Sequence, residues 1–113
     1  MDLDFEDKFR KIIAKIAESG EAYAEAKSQS WYQQELKGSI LSSIIKKLGD
    51  LPLSKSELLA KDSDDYKAYL TETAKAIYTE LSLRAEYEKW KSSFEALRSL
   101  SSLEKSTRNQ LGG

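Results

Sequence analysis

From Asp64 to about Arg108 the chain runs some 45 residues without a Pro or a Gly, and the stretch is rich in Ala, Leu, Glu, Lys and Arg. At a rise of about 1.5 Å per residue this predicts a helix on the order of 65 Å long. A chain of 113 residues cannot wrap a core around such a helix. The helix must lie against other long helices, its own chain's or another copy's.

The rest of the composition agrees with an all-α chain. There is one Pro and no Val, and Ile and Thr fall within helical runs, so strand signals are nearly absent. Lys plus Arg (18) nearly cancel Asp plus Glu (19), a formal charge of −1. That balance argues against coating DNA through net charge alone and leaves local basic patches open. Without Cys or His there are no disulfides, thiolate nucleophiles, imidazole bases or zinc sites of the usual kinds. No run of about 18 apolar residues marks a membrane span. The acidic start, MDLDFEDKF, lacks an apolar signal core. The chain reads as soluble and cytoplasmic.

Asp2 or Asp4 can cap a first helix, whose apolar residues Phe5, Phe9, Ile12, Ile13, Ile16 and Ala17 recur at helical spacing. Lys8, Lys11 and Lys15 form a basic ridge that reads as the opposite face. Ser19-Gly20 is either a break or a soft point, since a lone Gly costs roughly 1 kcal/mol relative to Ala. Glu21 to Leu48 reads as a second helical run. Its first half is soft, with small residues that let helices approach closely. Its second half is firm, with Leu41, Ile44, Ile45 and Leu48, and it ends at Gly49. Gly49 to Leu53 is a connector. Ser54 and Glu57 read as a capping box for a short helix, and Asp62-Ser63-Asp64-Asp65 as a stop and the next cap.

In the long helix two stripes can be traced. One is Tyr66, Leu70, Thr73, Ile77 and Leu81. The other is Leu83, Tyr87, Trp90, Phe94 and Leu97, with Leu100 and Leu103 just off its line. Leu81 and Leu83 stand about 200° apart around a helix, so the stripes read as two faces with two partners. The first is expected to pack within the chain. The second, at 4 and 3 spacing, is expected to be an intersubunit coiled-coil seam. The domain reading is one helical domain: N-terminal helices over 1–48, a connector at 49–54, a short helix at 55–62, the long helix at 64–108 and a flexible tail at 109–113.

No catalytic motif, phosphate loop or metal loop is present, so neither enzyme chemistry, a cofactor nor a metal is expected. Trp31 and Tyr32 sit in a polar stretch. They read either as packing in an oligomer interface or as platforms for bases of a single strand. Cations fall into three groups: Lys8, Arg10, Lys11 and Lys15; Lys37, Lys46 and Lys47; and Lys89, Lys91, Arg98, Lys105 and Arg108. Each is most simply a solvated face. Repeated around an oligomer axis, a patch of this kind can form a track for a phosphate backbone.

Tyr23-x-x-Ala26, Tyr32-x-x-x-Leu36, Lys55-Ser56-Glu57-Leu58, and the run from Glu86 to Trp90 followed by Phe94 to Ser99 together resemble the phage recombination mediator family typified by UvsY. The second half is also similar to small phage accessory proteins with an aromatic helix and a basic tail. The resemblance spans about residues 20–108. It implies a helical homo-oligomer that binds single-stranded DNA and helps load a RecA-type recombinase. By position it implies Lys37, Lys46 and Lys47 at phosphates, and oligomerisation through the final helix. The segment before Lys55 is shorter than in that family and less basic. A different class of function is a protein-binding adaptor, scaffold or host-system inhibitor, with Asp62, Asp64, Asp65, Glu86 and Glu88 facing a basic partner.

Overall fold

The computed structural model describes residues 3–112, and it is all-helical, with no strand among the described residues. Four helices follow in order: α1 (Leu3–Glu35), α2 (Lys37–Leu48), α3 (Leu53–Lys61) and α4 (Asp64–Gly112). They build two compact units. Residues 1–24 and 82–113 form one, which we call the terminal unit, and residues 25–81 form the other, the central unit.

The helix boundaries depart from the sequence reading at several points. Asp2 lies outside the described residues, and Asp4 stands inside the first turn of α1 rather than capping it. α1 does not break at Ser19-Gly20. The Ser19 hydroxyl folds back onto the Lys15 carbonyl at 2.6 Å. Gly20 meets the Tyr87 ring so closely that an added Cβ would stand 3.0 Å from Cε1. Gly20 thus supplies the room for a close helix approach, not a turn.

The break falls instead at Leu36, between α1 and α2, and it is a bend rather than a loop. Leu36 keeps near-helical angles (φ −73°, ψ −9°). Its N–H still reaches the Tyr32 carbonyl at 3.2 Å, and its own carbonyl accepts from Ile40 at 2.9 Å. α2 ends at Gly49, whose φ of +81° is a conformation that favours glycine. α3 starts at Leu53 with Pro52 before it and no side-chain cap, so the Ser54–Glu57 capping box is not formed. Pro52 has no N–H to satisfy and a φ fixed at −54°, which starts a helix without a capping side chain. Ser63 caps α4, accepting the Tyr66 N–H at 3.2 Å. At the other end α4 continues through Asn109–Gly112, where a tail was expected, and Gly113 lies outside the described residues. With no Gly before 112, and Arg108 paired to Glu104 at 2.8 Å, nothing stops the helix earlier.

The central unit holds the core of Ile44, Ala60, Tyr66 and Tyr69, with Leu36, Ile40, Leu41 and Ile45 packed on it. In the terminal unit α1 and α4 run antiparallel. Phe9 meets Phe94 edge-on at 5.5 Å, and Tyr23 stacks on Tyr87 at 6.0 Å.

Most of the less exposed positions of α4 follow one line along the helix, Tyr66, Tyr69, Thr73, Ala76, Glu80, Leu83, Tyr87, Trp90, Phe94, Leu97, Ser101 and Glu104, with half-buried Ile77 and Ser93 beside it. The steps alternate between three and four, a heptad spacing. The expected first stripe is therefore corrected: Leu70 and Leu81 are 47% and 52% exposed, while Tyr69 is buried. α1 keeps the same rhythm with Phe5, Phe9, Ile12, Ile16, Ser19, Tyr23, Ala26, Ser30 and Gln33.

Candidate binding surfaces

Leu83, Tyr87, Trp90, Phe94 and Leu97, expected at a seam with another subunit, lie along the chain's own α1, with the first four half-buried. Phe94 packs on Phe9, Tyr87 on Tyr23 and Gly20, and Leu97 is buried. Leu83 and Trp90 line a small hollow with Ser19 and Ala22. α1 matches the seam in spacing and in aromatic content and covers part of its apolar face, while Trp90 still lines an open groove.

Trp31 and Tyr32 stand on the outer side of α1, 63% and 59% exposed. Both line an open depression in the central unit together with Gln29, Glu72, Lys75 and Thr79. Lys75 is its one lining cation, and its ammonium is bound to Glu72 at 3.3 Å. Lys37, Lys46 and Lys47 are exposed at the two ends of α2. Lys47 faces Asp65 at 3.8 Å. The two aromatics share a depression, and the three lysines are not among the residues that line it.

Trp90 is engaged from both helices of the terminal unit. Its indole N–H donates to Glu86 Oε1 at 2.9 Å. The Lys89 ammonium lies 4.7 Å from the ring centroid, and that of Lys15 lies 6.0 Å away. The indole hydrogen bond, with Lys89 second, holds the Glu86 carboxyl below its ordinary pKa. Ile12, Trp90 and Leu97 also floor a groove of about 510 Å³ edged by Lys8, Lys11 and Lys15. Those lysines border the α1–α4 contact rather than facing away from it. Their positions relative to the heptad line of α1 carry that signal, which an apolar stripe drawn through Ile13 and Ala17 obscures.

Among the described residues no group of three or more His, Cys, Asp or Glu is placed to hold a metal ion. Nor is any described helix long and apolar enough to cross a membrane. No family model, curated protein or solved structure matches the chain.

Proposed function

We propose that this chain is a non-catalytic helical binding protein whose partner is another protein, met through apolar side chains on the outside of its helices. One observation carries the reading: ten of the eighteen Lys and Arg stand in ion pairs, while large apolar groups are left in solvent. Of ten ion pairs among the described residues, eight join positions three or four apart on one helix, which weakens the positive field that those ten cations offer a phosphate backbone. Meanwhile Trp31, Tyr32, Leu58, Tyr78 and Leu103 are each more than half exposed. Exposed aromatic and aliphatic groups of this kind are what protein interfaces use as anchors. Another copy of the chain belongs to the class of partner this surface suits.

A second reading is single-stranded DNA binding in support of recombinase loading, with bases stacked on Trp31 and Tyr32. Its support is the side-by-side exposure of those two rings and the exposed Lys37 and Lys46.

One pair of measurements separates the readings. Tagged full-length chain is used to capture partners from nuclease-treated lysate of the cells that make it. In parallel, anisotropy of a labelled single-stranded oligonucleotide is titrated at low and moderate salt. Protein binding predicts capture that survives nuclease and weakens in the Trp31→Ala, Tyr32→Ala variant, with no salt-sensitive oligonucleotide binding. Capture abolished by nuclease, together with tight oligonucleotide binding, overturns it in favour of the second reading.

A further inference from the structure

We infer that the groove between α1 and α4 in the terminal unit receives an amphipathic helix of a protein partner, acidic along the part that faces Lys8, Lys11 and Lys15. The inference rests on the protein-binding reading and adds a place, a partner chemistry and an orientation.

The floor is apolar, with Ile12, Trp90 and Leu97 at its base. An open groove between two antiparallel helices suits a third helix better than a small molecule, because apolar residues at i, i+3, i+4 and i+7 can lie along it. The α1 edge carries Lys8, Lys11 and Lys15, the first and last seven positions apart, about 10 Å or two helical turns. Lys11 and Lys15 now face Asp7 at 3.1 Å and Glu18 at 3.8 Å. Both pairs are solvent-exposed, and exposed pairs are weak enough to exchange for carboxylates held over a desolvated floor. On α4 Lys89, paired to Glu86 at 3.3 Å, lies against the Trp90 ring, so a cation of each helix stands beside the same indole.

The sign reverses further along. Glu18, Glu86, Ser19, Ala22 and Leu83 surround a second, smaller hollow that shares Lys15 and Trp90 with the first. A helix lying through both would place Asp or Glu against Lys8 and Lys11, and Lys or Arg against Glu18 and Glu86. That polarity fixes its direction, since the reverse orientation sets like charges together at both ends.

The test is a fluorescence titration of the full chain carrying Trp31→Phe, which leaves Trp90 as the sole indole. The probe is a designed helical peptide about three heptads long, with a leucine stripe, Glu beside it over two turns and Lys at the far end. A peptide of the same leucines with Glu and Lys exchanged is the control. The expected result is a saturable blue shift of Trp90 with the first peptide, and at least tenfold weaker binding by K8Q/K11Q/K15Q. The charge-reversed variant K8E/K11E/K15E should prefer the control peptide, and circular dichroism shows whether either variant remains folded. Equal binding of both peptides, binding unaffected by the neutral variant, or no saturable shift each overturns the site. So does a single-stranded oligonucleotide that displaces the peptide and binds more tightly. If nuclease-resistant capture persists while these titrations fail, this groove is wrong and the protein-binding reading stands. Capture that needs nucleic acid removes the reading itself.

Discussion

The Tyr69 hydroxyl donates to the backbone carbonyl of Gln33 at 2.6 Å, and lies 3.3 Å from that of Gln34. In an uninterrupted helix those carbonyls would accept from Lys37 and Gly38, four residues on. A side chain of α4 therefore occupies the hydrogen-bonding position at which the α1–α2 run bends. Gln33 adds a second tie, its Nε2 donating to Thr73 Oγ1 at 3.4 Å. The bend has an identifiable cause, a side chain inserted into the i to i−4 ladder. It also has a consequence, because α2 leaves the line of α1 and brings Ile44 onto Ala60, Tyr66 and Tyr69.

Tyr69→Phe keeps the buried ring and removes the donor. The Gln33 carbonyl then loses its partner in a half-buried place, at a cost of about 1–3 kcal/mol. Urea unfolding should show that loss, and amide exchange should quicken at Lys37 to Ser39. Unchanged stability with unchanged exchange would mean the bend is set by Leu36 to Gly38 alone.

Phe94 and Tyr87 find their ring partners, Phe9 and Tyr23, within the chain, so loss of these contacts should not depend on protein concentration. Trp90→Ala with Phe94→Ala removes the partner of Phe9 and opens a gap beside Ile12 and Leu97. Both rings are half-buried, and the expected destabilisation is about 2–4 kcal/mol. Thermal unfolding over a hundredfold range of concentration checks this. A loss that grows on dilution would return the seam to an interface between copies.

The long helix was legible in the sequence because nothing between Asp64 and Leu111 interrupts it. Its inner line was legible from Leu83 to Leu97, where large apolar residues keep the spacing, and not on either side, because Ala76, Glu80, Ser101 and Glu104 occupy heptad positions where an aliphatic residue is looked for. Tracing leucines instead led to Leu70 and Leu81, which face solvent. The same holds in α1, where Ser19, Ala26 and Ser30 are buried and Ser30 entirely so. Small side chains there signal close helix approach, and sequence alone left open whether the approaching helix belonged to the same chain. Trp31 and Tyr32 stood out for their polar neighbours, and they are exposed. The groove beside Trp90 needed the α1–α4 register, which no local pattern in either helix supplies.

Gly20 and Tyr87 should be coupled. In an open helix position Gly→Ala gains about 1 kcal/mol, but here the new methyl meets the Tyr87 ring at 3.0 Å, and that ring is stacked on Tyr23. Gly20→Ala should therefore stabilise the Tyr87→Ala background by about 1 kcal/mol and the native background by clearly less, or not at all. A double-mutant cycle in urea reads the difference. Equal effects in both backgrounds would show that the ring yields freely.

Glu86 reports on the edge of the groove through its titration. The Trp90 indole donates to its carboxylate at 2.9 Å, Lys89 stands 3.3 Å away, and together they hold its pKa below the ordinary value. A carboxyl with a lowered pKa in the folded state binds its proton more readily when unfolded. Its contribution to stability is thus present above the unfolded range, about 4.3 for Glu, and fades as the pH falls through the lower folded midpoint. In a carbon-detected NMR titration Glu86 should titrate below the ordinary glutamate value. Trp90→Phe keeps an aromatic ring beside Lys89 but takes away the N–H, and should move the Glu86 midpoint upward. Lys89→Gln should move it upward by less, since the indole bond is the larger cause. A midpoint at the ordinary glutamate value, or one indifferent to Trp90→Phe, would place the indole N–H elsewhere in solution and remove this hydrogen bond from the edge of the groove.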